Sequence, residues 1–445
     1  MAVPTPYTLR QGLFFGFAIV ACLVLIAILS AREDRQALQT VGKDAAPSVI
    51  AAEHIKAAMS AMDANAANEL LVPPGHAEQV VKAYEDRRKE TSKALIVAAG
   101  NITYGENERT PIEKIQEALG EYEIRVQQAR DYHEAGDGRR DAAYVAAAAK
   151  MDDLLWPAAD ALNKANLDVL ETAYETRRSV AKLSLAVLLF VGILLIGLLF
   201  ALQVFLFKKT NRVLNLPLVA GTLLTLAFVV HAAQTFTASI HHLKVAREDA
   251  FISLEALWRA RAVAYRASAD ESRFLLLRAG GAAFERDFTV QIDRLAKLPA
   301  GASFEQAANR AMAGKKPKEF TGYLADELKN LTFEGESAAA KATLTALRYY
   351  VSRDDDIRNL LHAGKRQEAI ALAVEGRSGQ SNWWFDQFDQ DLGKTIEINQ
   401  KAFDQAVQAG FQALAGFELM TLLTGASLCL LLWLGIRPRL REYQA

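Results

Sequence analysis

Four apolar runs, each close to the length that crosses a bilayer, decide what this chain can fold into. They occupy 12–30, 183–207, 217–235 and 417–436, and the first reads GLFFGFAIVACLVLIAIL from Gly12 to Leu29. About 20 apolar residues of helix cover about 30 Å of hydrocarbon. Inside lipid a spanning segment of this kind must satisfy its backbone internally, as a helix does. Pro217 interrupts the start of the third run, and His231 and Gln234 close it, so a buried soluble helix is the alternative there. Glu418 and His231 sit at run edges, and the runs otherwise hold almost no ionisable group. Transporters and proton relays keep such groups near the midplane, so translocation is not expected.

Composition fits spans joined to large hydrophilic parts. Apolar residues make up 51 % of the 445, yet 23 % are charged. A net charge of −1 gives no basic face for nucleic acid. Cys22 and Cys429 lie inside apolar runs and cannot staple a soluble domain. IVAC, Ile19 to Cys22, resembles a lipoprotein cleavage box, but the apolar run continues beyond it as an uncleaved anchor would.

Orientation follows from the short flanks. Arg10, the loop residues Lys208, Lys209 and Arg212, and the tail residues Arg437, Arg439 and Arg441 face a single acid, Glu442. The positive-inside rule places 1–11, 208–216 and 437–445 in the cytoplasm. Arg177, Arg178 and Lys182 argue mildly the other way. Two hydrophilic regions, 31–182 and 236–416, then lie outside the cell membrane of a multi-pass protein.

Both regions read as helical bundles. Pro73-Pro74-Gly75, Gly100 to Pro111 and Gly136-Asp137-Gly138 separate segments rich in Ala, Glu, Lys, Arg and Leu. Ile55, Met59, Met62, Ala66 and Leu70 form an amphipathic stripe, as do Leu254, Trp258, Ala262, Tyr265, Ala269, Ser272 and Leu276. Gly280-Gly281 stops the helix carrying the second stripe. Antiparallel helices with short loops pack as four-helix bundles. The fourth helix of each bundle is expected to continue into a span, with Pro157 bending the first of them.

DANAANELL, Asp63 to Leu71, has a counterpart 205 residues later in SADESRFLL, Ser268 to Leu276. EAGDGRRDAAYVAA at Glu134 likewise matches HAGKRQEAIALA at His362, 228 residues later. The unit span–bundle–span is therefore read as a tandem repeat. Gly301 to Glu334, with KKPKEF at Lys315, is expected to be an excursion without a counterpart. Asn101-Ile-Thr103 and Asn330-Leu-Thr332 resemble glycosylation acceptors and are read as incidental.

No Walker loop, HExxH, CxxC or GxSxG occurs, so neither an enzyme nor a bound cofactor is expected. His241-His242 are adjacent, whereas two ligands for one metal favour i, i+4 spacing, so a metal is not expected either. The candidate ligand residues are Asp63, Asn65, Asn68 and Glu69 in the first bundle and Asp270, Glu271 and Arg273 in the second. Acids paired with Arg suit a small zwitterion if they face a pocket between helices. A solvated face with i, i+3 pairs such as Asp270–Arg273 is the simpler alternative. Trp383, Trp384 and Phe385 fan around a helix, so at least one reaches a surface or interface, which makes Trp383 and Trp384 contact candidates. Tyr349 and Tyr350 are placed near them.

ALWRARAVAYRASADESRFLL, FTGYLADELKNLTFEGE and GQSNWWFDQFDQDLGKTIEINQKAFD resemble the GlnX-type actinobacterial membrane sensors. That resemblance implies four spans with two extracytoplasmic helical bundles. It also implies a signal transducer that reads amino-acid status through a solute-binding lipoprotein and passes it to a cytoplasmic Ser/Thr kinase. The basic loop and tail (Lys208, Lys209, Arg212, Arg437, Arg439, Arg441) are the candidate contacts for such an output protein. A homodimer is compatible with this reading. The alternative function is a non-switching structural subunit of an envelope complex.

Overall fold

Helices account for the described chain because its segments are long stretches of good helix formers ended by glycine turns. The computed structural model describes residues 5–210, 214–277, 281–298, 301–304, 306, 309–310 and 320–442. In order these are α1 (Thr5–Gln39), α2 (Ala46–Leu71), α3 (Glu78–Gly100), α4 (Glu106–Glu134), α5 (Arg140–Lys150), α6 (Trp156–Thr210) and α7 (Leu216–Lys244). Then follow α8 (Ile252–Leu276), α9 (Gly281–Ala296), α10 (Tyr323–Lys329), α11 (Glu336–His362), α12 (Arg366–Val374), α13 (Ser381–Ala413) and α14 (Phe417–Glu442). Among the described residues there is no strand beyond one isolated bridge, Lys297 with Thr321. The protein is an all-α membrane protein, with four helices long and apolar enough to cross a bilayer.

The chain divides into two compact units. The first comprises Met1–Gly42, Glu171–Val245 and Gln405–Ala445 and holds the four apolar runs. Within it α1 packs on α14, and α14 on α7. Glycine sets their approach, since a Cβ on Gly16 would lie 3.1 Å from Leu432 and one on Gly425 would lie 2.5 Å from Val24. Pro217 does not interrupt α7. It occupies the first turn, where its missing N–H costs nothing, and Asn215 caps the helix by accepting from Leu218 N. Arg177 is buried and paired with Asp34 at 2.5 Å and with Glu33 at 2.8 Å, so its charge is compensated locally. The link into the last run is broken rather than continuous: α13 ends at Ala413, and Gly416 takes φ +72° before α14 begins.

The second unit comprises Lys43–Leu170 and Ala246–Asp404. At its centre α2 and α8 pack along each other, flanked by α3 and α9. Small residues make this possible. Ala57, Ala58, Ala61, Ala64 and Ala67 on α2, and Ala260, Ala264, Ala267 and Ala269 on α8, are all buried. Helices with so little side chain approach closely, and nearly every residue of α2 from Ile55 to Leu70 loses contact with water.

Several local arrangements occur twice in this unit. Asn101 Nδ2 donates to Asp44 O (3.2 Å) and Ser48 Oγ (2.7 Å); Asn330 Nδ2 donates to Asp249 O (2.9 Å) and Ser253 Oγ (3.0 Å). Asp249 and Ser253 stand 205 residues after Asp44 and Ser48. Glu108 Oε2 accepts from the N–H groups of Thr103 and Tyr104, and Glu336 Oε2 from those of Thr332 and Phe333. The two NxT segments are thus not incidental. They are matching latches that tie a loop to the start of α2 and of α8. Asn330 to Glu334 consequently has a counterpart in the first region, while Lys315 to Lys318 lie outside the described residues. Glycines 136 and 364, at φ +63° and +76°, end α4 and α11 with the same pair of backbone bonds. A π turn precedes both central helices, Thr40–Ala45 before α2 and Val245–Phe251 before α8.

Three boundaries differ from the sequence reading. Helix α4 starts at Glu106 and carries Pro111 inside it, because Glu108 satisfies the preceding loop and lets the helix begin early. Gly281 opens α9 rather than closing α8, which ends at Leu276. A π turn at Met151–Leu155, directly before α6, absorbs the irregularity expected of Pro157.

Candidate functional site

Where the two central helices face each other their polar residues are buried, so each needs a protein partner. Asp63 and Arg273 form an ion pair, and both are at most 3 % exposed. Asp63 also accepts from Tyr122 OH (3.3 Å) and Tyr144 OH (3.2 Å). Arg273 donates to Tyr144 OH (3.3 Å) and to Asp270 at 2.9 Å. Burial pushes the Asp270 carboxyl up to about 7, although Arg273 and Arg266 pull it down. Asn68 accepts from Ser272 Oγ at 2.6 Å. The two segments DANAANELL and SADESRFLL therefore meet, and their polar groups answer one another. Asp270 and Arg273 make the expected i, i+3 pair, but on a buried face rather than a solvated one.

The other candidates go elsewhere. Glu69 receives a two-pronged Arg130 guanidinium at 2.7 to 2.9 Å, which lies over the Tyr84 ring. Asn65 bonds back to Ala61 O at 2.8 Å. Glu271 accepts Ser381 Oγ on both oxygens at 3.0 Å, and burial with Asp354 beside it raises its carboxyl well above the usual range. Trp384 stacks on Tyr349 at 4.2 Å and meets Trp383 edge-on at 4.6 Å, both half-buried. Lys208 and Lys209 are exposed at the end of α6, Arg437 covers the Trp433 ring, and Arg439 and Arg441 end α14. Arg212 lies outside the described residues.

Beside the buried cluster opens a cleft of about 300 Å³, lined by Lys56, Asp152, Trp156, Arg259, Arg266 and Arg294 among others. Asp152 joins the two: one oxygen lies 2.7 Å from Arg266 and the other 3.9 Å from buried Arg273. Burial raises the Asp152 carboxyl, and both arginines oppose that shift. The Trp156 ring is flanked by Lys56 at 4.8 Å and Arg266 at 4.7 Å, two cation–π contacts. Among the described residues no group of His, Cys, Asp and Glu could hold a metal ion.

Residues 37–175 match the Actinobacterial sensor domain family. No curated protein and no solved structure matches the chain. Together with the four apolar helices, this match supports a multi-pass membrane sensor of actinobacterial type. The matched stretch runs from the end of α1 into α6 and contains Asp63, Tyr122, Tyr144, Asp152 and Trp156. Arg259, Arg266 and Arg273 come from α8, beyond the matched stretch.

Sequence reasoning singled out Asp63 and Arg273 and missed Lys56, Asp152, Trp156, Arg259, Arg266 and Arg294. A partial signal existed: Arg259, Arg266 and Arg273 recur every seven residues, two helical turns, on one face of α8. Which residues of α2 and α6 would stand opposite depends on packing that no local pattern states.

Proposed function

We propose that the protein is a transmembrane signal-transducing sensor built from a duplicated sensor unit. Its helical bundles lie outside the cell and detect a small molecule or a solute-binding protein. The signal passes to a separate cytoplasmic protein, such as a Ser/Thr kinase, that reads the basic loop and tail. The observation that carries this reading is the sensor-domain match over residues 37–175, which coincides with one side of the charged cleft. Orientation is supported by the basic flanks at Lys208, Lys209, Arg437, Arg439 and Arg441. Helix α6 supports the relay, because it is unbroken for 55 residues from the cleft residue Trp156 to Thr210.

A specific observation favours a second reading, a non-switching structural subunit of an envelope complex. Asp63 and Asp270 both hold Arg273 in a buried cluster, as a static joint would. Purification of the intact chain and of a chain lacking 437–445 from native membranes separates the two. Recovery of a kinase with the intact chain only is the expected result; recovery of the same proteins with both chains overturns the sensor reading.

A further inference from the structure

We infer that the cleft between α2, α6, α8 and α9 is a binding site for a small anion, held by Arg294 and Arg266 against Trp156. The inference deepens the sensor reading and rests on it for what the binding signals, but not for the binding itself.

Charge points to the sign of the ligand. Four cations, Lys56, Arg259, Arg266 and Arg294, line the cleft against two acids, Asp152 and Asp160; behind the lining Glu53 pairs with Lys56 and Arg259, and Glu255 with Arg259, which leaves Arg266 and Arg294 as the cations open to a ligand. Both acids are already engaged, Asp160 with Lys56 at 2.6 Å and Asp152 with Arg266 at 2.7 Å. A cationic ligand would compete with Lys56 and Arg266 for those acids. An anion would not, because the arginines keep donors in reserve. A guanidinium carries five N–H groups in a fixed fork. Arg266 spends its hydrogen bonding on Asp152 through Nη2 alone, leaving Nε and Nη1. Arg294 is exposed and, among the described residues, bonds Gln291 Oε1 at 3.3 Å and has no carboxylate partner.

Size and shape agree. A volume of about 300 Å³ falls at the small end of ligand pockets and suits a compact metabolite rather than a peptide or cofactor. Trp156, Pro157 and Val263 give one apolar wall. Two guanidinium forks match the oxygens of a carboxylate or a phosphate, the chemistry the ligand must present.

The site also has a route inward. Asp152 divides its oxygens between Arg266 in the cleft and Arg273 in the core. An anion on Nε and Nη1 of Arg266 shares that guanidinium with Asp152 and weakens the pair without displacing it, so Asp152 is drawn more strongly to Arg273, which loosens the hold of Arg273 on Asp63 and Asp270. Ligand charge is thereby felt at the contact of α2 with α8.

The test is titration calorimetry on the intact chain in nanodiscs with succinate, inorganic phosphate and neutral succinamide. Succinate or phosphate is expected to bind, whichever fits distinguishing a carboxylate from a phosphate site, while succinamide does not. Arg294→Gln should weaken the anion about tenfold, equivalent to about 1.4 kcal/mol. Because Arg294 is exposed, this variant is expected to keep the parent melting temperature, which is measured alongside. Absence of binding by either anion at about 10 mM, where a millimolar site is nearly full, overturns the site. So does binding left unchanged by Arg294→Gln, or equal binding of succinamide. If the anion binds as expected but never alters kinase recovery in the tail experiment, the site stands and the sensor reading falls.

Discussion

Arg273 of α8 and Asp63 of α2 form an ion pair with both side chains almost fully removed from water. It is supported by Tyr122, Tyr144 and Asp270, so neither charge is left alone. Breaking such a pair costs more than the pair contributes, because the surviving charge stays buried. Arg273→Met should destabilise the protein by about 3 to 5 kcal/mol. The double variant Arg273→Met with Asp63→Leu should recover much of that. Denaturant unfolding in detergent micelles checks both values, and additive losses in the double variant would count against the coupling.

Glu327 supplies a pH prediction. It is 1 % exposed, and burial followed by the neighbouring Glu336 charge pushes its carboxyl up to about 8. Asn399 Nδ2 donates to both carboxylates, at 3.5 Å to Glu327 and 2.7 Å to Glu336. A raised carboxyl binds its proton more tightly folded than unfolded. Stability is therefore highest below the ordinary carboxylate range and falls as pH rises towards about 8, by up to about 1.4 kcal/mol per pH unit for this one group. Glu327→Gln should flatten the decline between pH 5 and 8. Melting temperatures across that range decide it, a slope unchanged by the substitution being the contrary result.

The loop latches are expected to matter equally in both regions. Asn330→Ala deletes three side-chain bonds to α8 and the turn before it, and Asn101→Ala two to the corresponding place before α2. Each removal leaves part-buried acceptors without their donor, at a cost of about 1 to 3 kcal/mol. Hydrogen exchange should show faster opening at Asp249–Ser253 in Asn330→Ala and at Asp44–Ser48 in Asn101→Ala.

In the membrane unit, helix approach depends on missing side chains. A Cβ at Gly425 would lie 2.5 Å from Val24, whose branched side chain cannot rotate clear, while one at Gly197 would meet nothing within 4 Å. Gly425→Ala should lower stability by about 1 to 3 kcal/mol, and Gly197→Ala should be neutral or slightly stabilising. Thermal unfolding of both variants in one detergent reads the difference.

Some of this was legible residue by residue. The membrane runs, the helical class and the turns at Gly136 and Gly364 follow from hydropathy, propensity and the need of a helix end for a left-handed residue, all of which act over a few neighbours. The segments of Asp63 and Arg273 were also visible as polar stretches on Ala-rich stripes. Their pairing was not. A stripe of alanines reads equally as a surface or as a close contact, and only packing α2 against α8 turned solvated groups into buried partners. The latches at Asn101 and Asn330 escaped notice for the same reason, since their meaning lies in carbonyls dozens of residues away. Local chemistry along the chain thus determined what each segment could become. Which charges meet, and where a cleft opens beside them, was decided by tertiary contact, because electrostatic and packing energies depend on distance in space and not on distance in sequence.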